Sequence, residues 1–236
     1  LRLLDTSYTG DAIVVRRASD SATQAIGFVN NELDTASLES FCSGTDGFVT
    51  TWYDQSGSGN DATQTTAGDQ PQIVSSGSVI LENTKPAIGL AVDNDLDLPL
   101  NIDVNSLFAV AQNTTTAAVH YLLWKASTQG FFVGGTSPSI LDNFGTFTGS
   151  IALSGTSNNG LQNLINLDYN TDYSFGLNNN TYVNMPTSST LMNINRIQRG
   201  GFGVDGTIQE IIIYTTSQSS NRNGIETNIN DFYTIY

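Results

Sequence analysis

The sequence predicts an all-β fold: a two-sheet antiparallel β-sandwich with a short helix near its start and a longer helix at its end. Three observations carry this. Short β-like runs recur along the 236 residues, with Asn, Asp, Gly or Pro between most of them. Only 13% of residues are charged, and Asn, Thr, Ser and Gly fill the polar positions, a profile of turn-rich sheet. The runs do not alternate with helical segments, which argues against β/α units. No Pro/Ser/Gly linker divides the chain, so residues 1–236 read as one domain.

Ala12-Ile-Val-Val-Arg-Arg17 is the first strand. In Leu33-Asp-Thr-Ala-Ser-Leu-Glu-Ser-Phe41, Asp34 or Thr35 can cap a short helix that turns Leu38 and Phe41 inward. Gly44 and Gly47 lead into a strand on which Phe48, Thr50 and Trp52 face one way and Val49, Thr51 and Tyr53 the other. Further β-like runs are Gln72–Val74, Val79–Leu81, Ala87–Val92, Ser106–Ala111, Val119–Trp124, Gly130–Val133, Ser150–Leu153, Tyr173–Leu177 and Tyr182–Met185. Gly206-Thr-Ile-Gln-Glu-Ile-Ile-Ile-Tyr214 is apolar and β-branched, as a central strand buried on both faces must be. Ser219 or Ser220 can then cap a helix reaching about Tyr233, with Ile225, Ile229 and Phe232 on its inner face. Arg222 and Glu226 fall four apart, a spacing worth a few tenths of a kcal/mol on a helix surface.

Charge and composition exclude several functions. With 22 acidic and 8 basic residues the net charge is -14, which repels nucleic acid and anionic membranes. Cys42 is the single cysteine and His120 the single histidine, so neither an intrachain disulfide nor a zinc site of the usual kinds can be assembled. His120 lies in an apolar run, where a structural role is favoured over that of base or ligand. No segment is helical and apolar enough to span a bilayer. The chain opens at Leu1 without a methionine, as a fragment or processed product does.

The candidate site is the end of the Trp52 strand and the loop after it. Trp52, Tyr53, Asp54, Gln55, Asn60 and Asp61 set aromatic faces beside short polar side chains, a pattern suited to stacking on a sugar and bonding its hydroxyls. The same residues suit a plain turn, with Trp52 in the core and Asp54 and Asn60 bonding backbone amides. Asp93-Asn-Asp-Leu-Asp97 places Asp93, Asp95 and Asp97 close enough to offer oxygens to calcium, although a solvated acidic loop is the simpler reading. No other metal or cofactor is implied. Arg16 and Arg17 are adjacent on a strand, so one must face inward or lie at an edge, with a carboxylate such as Asp54 as a partner.

Trp52-Tyr-Asp-Gln-Ser-Gly-Ser-Gly-Asn-Asp-Ala-Thr-Gln64, together with Ile26-Gly-Phe28, Leu33-Asp-Thr35, Gly206-Thr-Ile-Gln-Glu210 and the stretch from Ser219 to Asn230, resembles one family. It is the concanavalin A-like (LamG-type) jelly-roll module of tailed-phage virion proteins and bacterial surface proteins. The Tyr-Asp-Gln-Ser-Gly-x-Gly-Asn signature is also similar to the catalytic β-sandwich of fungal α-L-arabinofuranosidase B. That second resemblance implies a glutamate nucleophile in mid-domain and an aspartate acid in a glycine-rich stretch before the Gly-Thr of the last strand. Here no glutamate lies between Glu82 and Glu210. The stretch Arg199-Gly-Gly-Phe-Gly-Val-Asp205 is shortened, and Asp205 abuts Gly206. The Glu-x-Asp-x-x-Glu strand of related glucanases is absent too. The resemblance therefore implies no catalytic residue. It implies a non-enzymatic module, a phage capsid decoration or fibre domain on a virion surface or otherwise extracellular. Its partners would be surface glycans or polysaccharide and other virion subunits, with homo-oligomers open. The alternative is a glycoside hydrolase of α-L-arabinofuranosidase type.

Overall fold

The computed structural model describes residues 1–114, 121–125, 129–132, 139–141, 150–152, 160–170, 173–180, 183–185, 191–198, 201 and 203–236. Among these, one hydrogen-bonded ribbon joins 16 strands, and every registered pair in it is antiparallel. Gly206–Tyr214 is central, between Ile88–Leu90 and Ser106–Asn113. From there one direction runs through Gln162–Tyr169 to Tyr173–Leu177 and Val183–Met185. The other runs through Gln72–Ser75, Gly47–Trp52, Ala62–Thr63 and Leu96–Asp103 to Asn193–Ile197, Tyr121–Lys125 and Gln129–Phe132. The ribbon folds over on itself as a sandwich. Leu107, Ala109, Ile165, Leu167 and Ile208 meet Leu96, Leu123, Ile194 and Ile197 in one continuous core. The buried Tyr173 hydroxyl donates to Val104 O (2.5 Å) and accepts from Met192 N (2.9 Å), pinning one leaf to the other.

Both expected helices are present. In α1 (Thr35–Phe41) the Asp34 carboxylate accepts from Ser37 N, and Leu38 is buried. In α2 (Arg222–Tyr233) the N-cap is Asn221, with no side-chain cap bond, rather than Ser219 or Ser220. Ile229 and Tyr233 of α2 pack on Phe108, Val110 and Leu164, the reverse face of the central strands. Ser106–Asn113 is thus covered on both faces, and its buried Leu107, Phe108 and Val110 each contribute about 1.5–3 kcal/mol. The Arg222–Glu226 pair is not a surface pair. Glu226 is 1% exposed and accepts from Arg222 Nε (2.8 Å) and Asn166 Nδ2 (2.5 Å).

Two sequence expectations change in the sheet. Gln162–Tyr169 is a strand buried from Asn163 to Asp168 that the sequence hides, because Asn163, Asn166 and Asp168 interrupt its apolar pattern. Asp168 is satisfied by Ser217 Oγ, by Gln218 N and by the Ser106 hydroxyl. In Gly47–Trp52, strict alternation fails. Val15 faces Val49 whereas Val14 faces Thr51, so Thr50 is an inserted bulge residue. The bulge inverts the phase, and Val49 and Trp52 both pack against the core. The expected His120 lies outside the described residues, as do parts of the runs expected at Val119–Trp124, Gly130–Val133, Ser150–Leu153 and Tyr182–Met185.

Candidate functional site

The signature loop is built largely from its own hydrogen bonds. The Asp54 carboxylate accepts from Ser56 N and Ser56 Oγ (both 2.9 Å) and from Asn60 N (3.0 Å). Asp61 Oδ1 accepts from Asp54 N (2.8 Å). Gly57 and Gly59 adopt φ of 77° and 73°, the left-handed conformations the turn requires. Partial burial works against ionisation of Asp54, but the bonds from Ser56 and Asn60 outweigh it and hold the carboxyl below its usual range.

Gln55 ties this loop to the N-terminal segment: its Nε2 donates to Arg2 O (3.0 Å), and its Oε1 accepts from Leu4 N (2.9 Å). Arg2 in turn forms a buried bidentate pair with Glu210, Nε to Oε2 at 2.7 Å and Nη2 to Oε1 at 3.0 Å. The Tyr233 hydroxyl adds a bond to Glu210 Oε2 (3.1 Å), and the guanidinium sits over the Phe232 ring, 5.2 Å from its centroid. Burial opposes the charge on Arg2, yet the pairing with Glu210 raises its pKa overall. Among the described residues the arginine in the buried class is therefore Arg2. Arg16 instead donates to Gln70 Oε1 over the Phe48 ring, and Arg17 pairs with Asp20, because both lie toward the surface and far from Asp54. A charged residue inside the apolar run Ile208–Ile213 was the one sequence signal for the pair.

The loop and the N-terminal segment rim a cleft of about 510 Å³ at the edge between the leaves. Trp52, Leu98, Ile102, Ile197, Ile211 and Ile213 give it an apolar floor. Five of the six sugar-binding candidates line it: Trp52, Tyr53, Asp54, Gln55 and Asn60. Asp61 stands behind them, bonded to the loop backbone. The pairing of Leu96–Asp103 with Asn193–Ile197 jumps between Asp97 and Ile102, so Leu98 to Asn101 bulge out beside the cleft.

A second edge gathers carboxylates. Arg196 donates from Nη1 to Asp95 Oδ2 (3.0 Å) and from Nε to Asp97 Oδ1 (2.6 Å), and Gln64 Nε2 donates to Asp95 Oδ1. Among the described residues no group of three His, Cys, Asp or Glu side chains is placed to hold a metal ion; Asp95 and Asp97 close on a guanidinium, and Asp93 points outward, exposed. Val92 clasps the neighbouring turn. Its carbonyl accepts from Gly201 N (3.0 Å) and Gly203 N (3.1 Å), and its amide donates to Asp205 Oδ1 (3.0 Å). Asp205, remote from Asp93 in sequence, is thereby held beside it.

An antiparallel sandwich with a carboxylate-bearing edge and an open aromatic cleft defines a class that takes in lectin-like and carbohydrate-cleaving domains. Within that class, the chain belongs to the family described as α-L-arabinofuranosidase B, catalytic, whose model matches residues 1–119. An α-L-arabinofuranosidase of Hypocrea jecorina is 39% identical over 92 residues, 39% of this chain and 18% of the relative. A probable α-L-arabinofuranosidase B of Aspergillus fumigatus is 39% identical over 93 residues, with the same shares. A GH54 α-L-arabinofuranosidase soaked with a cyclic sulfate inhibitor superposes with a TM-score of 0.71 at 16% identity, covering 97% of this chain and 60% of the other. An arabinofuranosidase complexed with arabinofuranosyl-α-1,2-xylobiose gives the same values. The chain thus matches under a fifth of the length of these curated relatives.

These findings overturn the expectation of a non-enzymatic phage module. The family and the relatives are arabinofuranosidases, and none of them is a capsid decoration, a fibre or another virion protein. Virion subunits as partners and a virion surface as location fall with it. The misreading has a chemical source. The shared signature builds scaffold, and the lack of a mid-chain glutamate is not by itself a lack of chemistry.

Proposed function

We propose that this chain is the sandwich of a glycoside hydrolase that removes α-L-arabinofuranosyl groups from glycans outside the cell. The observation that carries the reading is the family match over residues 1–119. Cleavage of a glycosidic bond needs two carboxyl groups, one protonating the leaving oxygen and one acting on the anomeric carbon or a water, about 5–10 Å apart. No glutamate lies between Glu82 and Glu210, and Glu210 and Glu226 are buried in ion pairs with Arg2 and Arg222, which favours aspartates for that pair. Asp95 and Asp97 are engaged by Arg196. Asp93 and Asp205 share the remaining edge, Asp205 anchored through its bond from Val92 N. We assign the carboxyl pair to them. Sugar contact at the signature loop falls to side chains whose polar atoms are not already spent on the turn.

Release of 4-nitrophenol from 4-nitrophenyl α-L-arabinofuranoside tests the reading. Asp93→Asn and Asp205→Asn, both isosteric, each lower kcat by about 10²–10⁴ with the fold intact. Activity untouched by either substitution removes the assignment of the pair. Absence of hydrolysis on this and on arabinosylated polysaccharide removes the function.

A further inference from the structure

We propose that the cleft over Trp52 is a ligand site, separate from the carboxylate edge, for a small neutral saccharide that carries an aryl group. The inference goes beyond the hydrolase reading and does not need it. The volume, about 510 Å³, lies within the range of small-molecule sites and is too small for a protein segment with its side chains. The floor of Ile102, Ile197, Ile211 and Ile213 offers no polar partner, so a bare sugar ring seated there leaves hydroxyls unpaired. A flat aryl group loses nothing on that floor and stacks beside the Trp52 indole.

The rim supplies the polar half. Asp54, Gln55 and Asp61 are consumed by the turn and by the N-terminal segment. On the signature stretch, among the described residues, three lining groups are not: the Trp52 indole N–H, the Tyr53 hydroxyl and the Ser58 hydroxyl make no hydrogen bond to protein. Aromatic polar tips of this kind normally find a partner when covered, and sugar hydroxyls can both donate and accept. The bulge sets Leu98 on the cleft wall, and Leu100 beside it is 67% exposed, which extends the apolar wall outward. The carboxylates of Asp5 and Asp54 at the rim, within a chain of net charge -14, reject anionic ligands.

Saturation-transfer NMR with phenyl β-D-glucopyranoside tests this, with methyl β-D-glucopyranoside and benzoate as contrasts. None of the three contains an arabinofuranosyl bond, so the result is independent of hydrolysis. The phenyl glucoside binds, with strongest transfer to its aryl protons; the methyl glucoside binds at least about tenfold more weakly, and benzoate does not bind. Tyr53→Phe and Ser58→Ala each weaken binding about three- to tenfold, and Leu98→Asn by more than about tenfold, all with unchanged circular dichroism. Equal binding of methyl and phenyl glucosides, binding unchanged in Leu98→Asn and Tyr53→Phe, or no transfer at about 10 mM ligand overturns the proposal.

Discussion

Replacing Arg2 by Met tests the central structural reading of the signature loop. Arg2 is 8% exposed and Glu210 3% exposed, so the pair is buried on both sides. Met keeps much of the side-chain volume against Phe232 and Tyr233 but removes both charge-assisted bonds. The Glu210 carboxylate is then left buried with the Tyr233 hydroxyl as its one remaining side-chain partner among the bonds described. Stranding a buried charge costs about 3–5 kcal/mol. At about 2–4 °C per kcal/mol for a chain of this length, Tm falls by roughly 6–20 °C. The double variant Arg2→Met/Glu210→Leu removes the charge together with its partner and recovers at least about 2 kcal/mol relative to the sum of the single losses. The assay is urea and thermal unfolding followed by circular dichroism, with a double-mutant cycle. A loss under about 1 kcal/mol for Arg2→Met, or strictly additive effects, refutes the claim that this pair locks the N-terminal segment to the sheet.

Arg222→Met costs about 3–5 kcal/mol in the same unfolding assay, an order of magnitude above a surface i,i+4 pair, because Glu226 is buried. Gly206→Ala destabilises by at least about 3 kcal/mol, since at φ 153° an added Cβ lies 2.0 Å from Gln112 O. Asp54 has a folded pKa held below its ordinary 3.8, so its stabilising effect is full above about pH 4 and is lost as pH falls through the folded value. Asp54→Asn therefore flattens the acid limb of a stability–pH curve while leaving its neutral region sloped as before; an unchanged acid limb contradicts this. Gln55→Ala frees the backbone of Arg2 and Leu4, and hydrogen exchange of the Leu4 amide rises by about tenfold or more.

The fold was legible where one physical rule acted alone. The Gly206–Tyr214 strand, α1 with its Asp34 cap and the Ile225/Ile229 stripe of α2 all follow from local pattern. The sequence failed where tertiary partners overrode that pattern. Gln162–Tyr169 carries buried Asn166 and Asp168, whose partners Glu226, Ser106, Ser217 and Gln218 lie some fifty to sixty residues away. The Thr50 bulge, set by a neighbouring strand, moved Trp52 to the other face. The site was half legible. Asp54, Gln55 and Asp61 were found as polar residues, but their bonds to Ser56, Arg2, Leu4 and the Asp54 amide depend on a turn and on a segment some fifty residues away. The Asp93–Asp205 edge was invisible, because the Val92 clasp joins residues over a hundred positions apart.

This division explains how a family signature can be strong while the carboxyl pair proposed for this chain is not where the resemblance places it. The residues of the Trp52–Gln64 stretch, Arg2 and Glu210 form one interlocked set, in which Gln55 holds the Arg2 backbone and Arg2 holds Glu210. Removing Arg2 strands the buried Glu210 carboxylate, and removing Gln55 leaves the Arg2 carbonyl and the Leu4 amide without that partner, at about 1–3 kcal/mol for a neutral group and more for a charge. The matched residues 1–119 contain most of that set. Gly201 and Gly203 are held by backbone bonds to Val92 O, which constrain conformation more than side-chain identity, while Asp205 is held through its own carboxylate. A sandwich so built can shorten that turn and move its carboxylate along the edge without losing the scaffold. It follows that grafting a longer glycine-rich turn between Gln198 and Gly206 leaves Tm within about 3 °C of the parent but shifts arabinofuranoside turnover. A collapse of stability on such a graft places the turn within the scaffold instead.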